Sequence, residues 1–206
     1  MAKLKLYGVA QSRAFRVMWC AHEMGLDYEH VPIANRVAQM PADFAAVNPM
    51  MKVPAIDDGG FVMTESAAIN LYLAEKYGAG KLWPAGAEDQ ARAVMWTMWA
   101  MTECEQLGLS VAMHRVRLPE AERVAATADA AEQALARPLK VLEDQLKAKG
   151  NVLGPQFSIA DLVIASVLFI ITRAPFNWAP YPGVKRWLDQ ALARPAAAKA
   201  IKLREG

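Results

Sequence analysis

The chain has 206 residues, 54% of them hydrophobic and 21% charged, with a formal net charge of +2. That length suits one large domain or two smaller ones with full cores. A nearly neutral balance, with both signs mixed along the chain, argues against a nucleic acid or an anionic membrane surface as partner.

The first segment, "KLKLY" (3–7), alternates as a strand does. The stretch "SRAFRVMWCAHEMG" (12–25) places Phe15, Val17, Met18, Cys20 and Ala21 at helical spacing and ends on Gly25, a helix-terminating residue. "YEHVPI" (28–33) alternates again, and "PADFAAV" (41–47) suits a short helical turn. Val53, Ala55 and Ile56 read as a strand interrupted by Pro54. Asp57-Asp58-Gly59-Gly60 is a turn signal, Phe61-Val62-Met63 a second strand, and Glu65 to Tyr77 a helix. The order βαβ then ββα implies a parallel strand pair joined by a right-handed crossover, followed by a hairpin.

The segment "GAGKLWPAGAED" (78–89) is a linker by composition. Beyond it no strand pattern recurs. Helices are expected over 88–116, 120–150 with Pro138 inside, 158–174, 183–195 and 196–203. The division is therefore an α/β N-terminal domain over 1–80, a linker over 81–87 and an all-α C-terminal domain over 88–206. Ser158 and Asp161 have capping-box spacing. That makes Asp161 a structural cap rather than a catalytic carboxylate.

The two cysteines, Cys20 and Cys104, form no CxxC, which fits a reducing compartment. The opening residues lack a signal-peptide pattern, and the apolar run 162–171 is too short to cross a bilayer. A cytoplasmic protein without a metal site or a bound prosthetic group is expected.

Three ordered stretches carry a resemblance that covers the whole chain. They are "LYGVAQSRAFRVMWCAHEMGLDYEHVPI", "NPMMKVPAIDDGGFVMTESAAINLYLAEKYG" and "FSIADLVIAS". Together they resemble the cytosolic glutathione transferases of bacterial, serine type. The resemblance implies a thioredoxin-like N-terminal domain, a helical-bundle C-terminal domain, a homodimer, and reduced glutathione as co-substrate.

It also implies roles for individual residues. Taken alone, Pro54 reads as a strand-start proline. In the family the Val-Pro bond is cis, and the backbone of Val53 then pairs with the cysteinyl unit of glutathione as an added strand would. Glu65 and Ser66 open a helix, where free N–H groups and the dipole favour an anion such as the γ-glutamyl carboxylate. Glu65 would face the ammonium group. Read without the family, Thr64 caps that helix and Glu65 merely complements its dipole. Lys52 and Gln39 are candidates for the glycyl carboxylate.

Ser12 is the expected catalytic residue. By itself it reads as the N-cap of 12–25, without a Glu or Gln three residues on. A thiol of reference pKa near 8.5 is only slightly ionised at neutral pH. Lowering it by about two units takes about 2.7 kcal/mol. A hydroxyl bonded to the charged sulfur supplies roughly 1.5–3 kcal/mol, and a helix N-terminus about 0.3–1 more. No general base is then required. Tyr7, at the end of the first strand, is the rival activator, since some classes of the family use a tyrosine there. Cys20 lies too far into the helix for protein-thiol exchange.

The electrophile pocket is expected between the domains, with Ala10, Cys104, Leu107 and Val111 in its wall. Most of the Met- and Trp-rich face of 88–116 would serve the core and the dimer surface. Conjugation of glutathione to a small apolar electrophile is the expected reaction. The same motifs also suit a glutathione-dependent isomerase, dehalogenase, or peroxidase or reductase, or a non-catalytic binding member.

Overall fold

The computed structural model describes residues 4–205. The chain forms two compact units. One runs up to Trp83 and takes in the segment from Arg194 onward; the other is Pro84–Ala193.

The first unit is built on four strands: β1 (Leu4–Tyr7), β2 (Tyr28–Val31), β3 (Ala55–Asp58) and β4 (Phe61–Thr64). Their order in the sheet is β2-β1-β3-β4, with β1 parallel to β2 and the other two pairs antiparallel. The parallel pair and the hairpin are those the βαβ-then-ββα order implies, and the whole is the thioredoxin-like arrangement that the family resemblance implies. Lys3, expected in the first strand, lies outside the described residues. β2 stops at Val31 rather than Ile33 because Pro32 has no N–H to continue the ladder. The hairpin turn is also tighter than the sequence pattern suggests. Asp57 and Asp58 pair with Val62 and Phe61 in the ladder. Only Gly59 and Gly60 turn, both at positive φ (67° and 98°), as a two-residue hairpin of the I′ kind requires.

Helix α1 (Ala14–Met24) starts two residues later than expected, with Arg13 at its N-cap. Its apolar positions are not confined to one stripe. Residues 14–21 are all buried, including Arg16. β1 and α2 (Ser66–Tyr77) cover part of its surface. The remainder is covered by the last helix, Pro195–Glu205, which the sequence reading places with the helical domain. That helix presents the fully buried small residues Ala197 and Ala200, which let it sit close to α1. Leu6 and Ile56 are opposite each other in the sheet and have no exposed surface. Each such side chain contributes roughly 1.5–3 kcal/mol by leaving water.

The second unit is helical. A continuous helical path runs from α3 (Ala87–Trp99) through a π turn (Ala100–Cys104) into α4 (Glu105–Ala112) and a second π turn (Met113–Arg117). It corresponds to the single helix expected over 88–116. The next helix, α5 (Ala125–Lys149), begins five residues later than expected and runs through Pro138. Its delay has a cause: Arg123 is extended and donates to the carbonyls of Val116 and Leu118, so 120–124 is a connection. α6 (Ile159–Leu168) is buried on every side and passes into a 3-10 turn, Phe169–Arg173. α7 (Pro182–Leu192) packs on α5 and α6. The helix Pro195–Glu205 is α8.

Asp161 closes the capping box with Ser158 at the start of α6. Its Oδ2 accepts from the Ser158 N–H (2.9 Å) and hydroxyl (2.7 Å). Its Oδ1 accepts from Val152 N–H (2.8 Å) and Trp187 Nε1–H (3.2 Å). All four donors sit within the second unit, so the structural reading of Asp161 stands. Burial raises its pKa, opposed by these hydrogen bonds.

Candidate active site

The sheet register brings the predicted site together. Tyr7 is opposite Ala55, and Ala55 is opposite Thr64. The residues that follow β1, precede β3 and follow β4 therefore emerge at one end of the sheet. These are the loop Gly8–Arg13, Lys52-Val53-Pro54 and Glu65-Ser66. A βαβ crossover and a hairpin suffice to juxtapose three segments far apart in sequence.

The loop after β1 begins at Gly8, with φ of 127°. A Cβ there would lie 2.9 Å from the Val53 Cβ and 3.0 Å from the Ala14 Cβ, so only glycine lets the strand end pass between them. The loop is anchored on the β2 side. Gly8 N–H donates to Val31 O and Val9 N–H to Ile33 O. His30 Nε2 lies 2.8 Å from Gly8 O, so that nitrogen carries a proton and donates.

Ser12 sits in the turn before α1, half-buried. Its N–H (3.0 Å) and its hydroxyl (2.7 Å) both donate to Val9 O. Ala14 N–H donates to Ser12 Oγ at 3.0 Å. The side chain thus does bond the first turn of α1, one position before the N-cap. Accepting from Ala14 N–H polarises the hydroxyl and makes it a better donor.

The Val53-Pro54 bond is cis. Among the described residues, no loop or side-chain hydrogen bond occupies the Val53 N–H or C=O. The approach to it is held by Asn48, which is buried. Asn48 Nδ2 donates to Lys52 O at 2.6 Å and its Oδ1 accepts from Met50 N–H at 3.0 Å. Pro54 is buried, while Lys52 and Gln39 are exposed. Gln39 lies in a 3-10 turn, Val37–Gln39, after β2.

Thr64 is not the cap of α2: it pairs with Ala55 in the sheet. Glu65 occupies the N-cap with φ 67° and ψ 109°, a left-handed backbone that costs a side-chain-bearing residue roughly 1–3 kcal/mol. Ser66 is buried and opens the helix. The first helical bond runs from Ile69 N–H to Glu65 O, so the N–H groups of Ser66, Ala67 and Ala68 precede the ladder and face the helix terminus.

Tyr7 is turned differently. It packs on the apolar cluster of Ile33, Phe44 and Ala55, its ring centroid 5.9 Å from that of Phe44. Ala10 is buried in the first unit. Cys104 and Val111 in the second unit have no exposed surface, and Leu107 is half-buried. Burial, followed by the nearby carboxylates of Glu103 and Glu105, pushes the Cys104 thiol up to about 12. Burial raises the Cys20 thiol further still, with Glu23 adding to it. Neither sulfur is a thiolate at neutral pH. Among the described residues, no cluster of His, Cys, Asp or Glu has a metal-binding arrangement.

Three contributors were not legible in the sequence. Asn48 acts on the backbone two and four residues on, His30 reaches back across the sheet to Gly8, and Arg204 comes from the far end of the chain: its guanidinium donates to the Ala10 and Ser12 carbonyls. The Asn48-Pro49 pair was a partial signal for the first; periodicity carries none for the other two.

Comparison with known proteins identifies the family. Residues 2–75 match the profile of the glutathione S-transferase N-terminal domain, and residues 125–190 that of its C-terminal domain. The chain is 30% identical over 192 residues to glutathione S-transferase GstB of Escherichia coli, covering 91% of this chain and 92% of that one. It is 35% identical over 215 residues to glutathione S-transferase 3 of Zea mays, covering 98% and 94%. Among solved structures, maize glutathione S-transferase I in complex with an atrazine glutathione conjugate superposes with a TM-score of 0.88 at 28% identity, covering 99% of each chain. The chain belongs to the glutathione S-transferase family.

Proposed function

We propose that Ser12 activates the thiol of reduced glutathione, its proton passing to solvent, and that the resulting thiolate attacks a small apolar electrophile, forming a thioether either by displacing a leaving group as an anion or by adding to an activated double bond that is then protonated. The chain is a glutathione S-transferase, and glutathione is its co-substrate. The observation that carries the assignment of residues is the convergence of the Ser12 turn, the Val53 backbone and the Glu65-Ser66 helix start at one end of the sheet.

In this reading the Val53 N–H and C=O pair with the cysteinyl unit. The first-turn N–H groups of α2 and Ser66 hold the γ-glutamyl carboxylate, and Glu65 meets the ammonium. Lys52 and Gln39 meet the glycyl carboxylate. Of the residues expected in the electrophile pocket, Leu107 remains the candidate for contact; Ala10, Cys104 and Val111 are buried and offer an electrophile almost no surface. The hydroxyl of Ser12 must leave Val9 O to donate to sulfur. Trading a neutral acceptor for a charged one nets about 1–2 kcal/mol, or about one unit of thiol pKa. The N-terminus of α1 adds about 0.3–1 kcal/mol. The apolar seat of Tyr7 against Phe44 favours Ser12 over Tyr7 as the activator. The raised thiols of Cys20 and Cys104 speak against disulfide exchange through the protein.

A homodimer is the assembly we propose. Its support is the apolar surface exposed on the edge strand, at Phe61 and Val62, and on α3, at Met95 and Met98. A cytoplasmic location is in keeping with two free cysteines and with the absence, among the described residues, of a helix long and apolar enough to cross a membrane.

The test is the ultraviolet absorbance of bound glutathione against pH, in the unaltered protein and in Ser12→Ala. An apparent pKa below about 8.5 that rises by about one unit in the variant supports the assignment. Equal values in the two proteins would remove Ser12 from the chemistry and return attention to Tyr7.

A further inference from the structure

The C-terminal segment brings two arginines to the first unit, and one of them grips the turn that carries Ser12. Arg194, just before α8, makes a two-pronged ion pair with Glu23 near the end of α1 (Nε to Oε1 2.6 Å, NH2 to Oε2 2.7 Å). Arg204, near the end of α8, donates from NH1 to Ala10 O at 2.7 Å and to Ser12 O at 3.1 Å. Gln11 Nε2 donates in return to Arg204 O at 3.0 Å. The guanidinium also lies over the Phe15 ring, 5.8 Å from its centroid. The helix therefore runs antiparallel to α1. Arg194 and Arg204 have the same separation in sequence as Arg13 and Glu23, so the two helices are matched in length, about 15 Å at 1.5 Å per residue.

The Arg204 grip bears on the chemistry because of what the Ser12 turn gives up. With its hydroxyl on Val9 O, the turn is held by its own side chain and by Ser12 N–H. When the hydroxyl swings to a thiolate, the side-chain bond to Val9 O is lost. The Arg204 bonds remain. They fix the carbonyls on both sides of Gln11, and with them the peptide planes that set where the Ser12 Oγ points. They are charge-assisted, which makes them the strong members of the loop's hydrogen-bond set.

We propose that Arg204 is a positioning residue for thiol activation: it holds the Ala10–Ser12 turn so that the Ser12 hydroxyl is aimed at the sulfur throughout the reaction. This rests on the reading of Ser12 given above. It does not place Arg204 in contact with glutathione. The C-terminal helix is thereby part of the catalytic unit.

The experiment is the same absorbance titration of bound glutathione on four proteins: unaltered, Ser12→Ala, Arg204→Met and the double variant. Arg204→Lys serves as the conservative rescue. Arg204→Met is expected to raise the apparent thiol pKa by about one unit, a roughly tenfold loss of thiolate at neutral pH. Its Kd for glutathione at about pH 5.5, where the thiol is protonated in every variant, is expected to stay within about twofold. Arg204→Lys should recover part of the shift. In the Ser12→Ala background Arg204→Met should add nothing, because the aimed group is already gone. If Arg204→Met does not fold, Arg204→Gln, which keeps a donor and loses the fork, enters the same cycle.

Two results overturn the proposal while leaving Ser12 in its role: Arg204→Met at the unaltered pKa with Ser12→Ala shifted, or a shift of equal size in both backgrounds. A Ser12→Ala protein with an unshifted pKa refutes the Ser12 assignment, and the positioning role with it.

Discussion

Replacing Gly8 by alanine tests the geometry of the site at a residue that itself makes no proposed contact to glutathione. The added methyl meets two obstacles. Its carbon would stand 2.9 Å from the Val53 Cβ, closer than such carbons approach in folded proteins, and 3.0 Å from the Ala14 Cβ, tighter than most such contacts. The backbone is also held at φ 127°, where an L side chain is strained. The backbone term is roughly 1–3 kcal/mol, and the overpacking term roughly 1–3 kcal/mol. Part of the strain is relieved by shifting Val53, so the expected loss is about 2–4 kcal/mol. The shift falls on the backbone proposed to pair with the cysteinyl unit, so glutathione affinity should fall about tenfold or more. Gly25→Ala is the control. Gly25 has φ 70° with nothing within 4 Å of its would-be Cβ. There only the left-handed backbone is penalised, by about 1 kcal/mol, and glutathione binding should be unchanged. Urea unfolding at fixed protein concentration gives the first quantity and calorimetric titration of glutathione the second. If Gly8→Ala is no more destabilising than Gly25→Ala and binds glutathione equally well, the strand end is not wedged between Val53 and Ala14 and the reasoning fails.

Two further outcomes follow from the electrostatics and the cap. Asp161→Ala leaves three donors of the second unit without their acceptor and Trp187 Nε1–H with Asn151 Oδ1 alone, so unfolding free energy should drop by about 3–5 kcal/mol; a loss under about 1 kcal/mol in a urea titration would show that water or a neighbour replaces the carboxylate. Burial, with Lys199 adding to it, lowers the His22 pKa from 6.5 to about 4. The unfolded chain takes up this proton before the folded one does, so stability declines as pH falls from about 6.5 towards 4 and this contribution levels off below. His22→Asn should flatten the stability profile in that window relative to the unaltered protein, and parallel profiles would count against the assignment.

Much of this architecture is local information. Alternation marked β1 and β2, helical spacing marked α1, and the Asp-Gly-Gly stretch marked a hairpin, because side-chain period and turn preference are properties of a few neighbouring residues. The capping box at Ser158 and Asp161 was equally visible, since its partners are three residues apart. The fine boundaries were not. Asp57 and Asp58 favour turns in isolation, yet they lie in the ladder because Val62 and Phe61 stand opposite them. Glu65 took the cap that Thr64 seemed to offer, because Thr64 was already paired across the sheet. Helical pattern placed α8 but did not say what it covers; the small faces of Ala197 and Ala200 and the Glu23–Arg194 pair carry it to α1. Ser12, Val53 and Ser66 were identifiable one by one from the sequence and its family resemblance. That they stand at one end of one sheet, with the Ser12 turn held by an arginine from the other end of the chain, is decided by strand register and helix packing. Those are relations between distant residues, and no local window of sequence contains them.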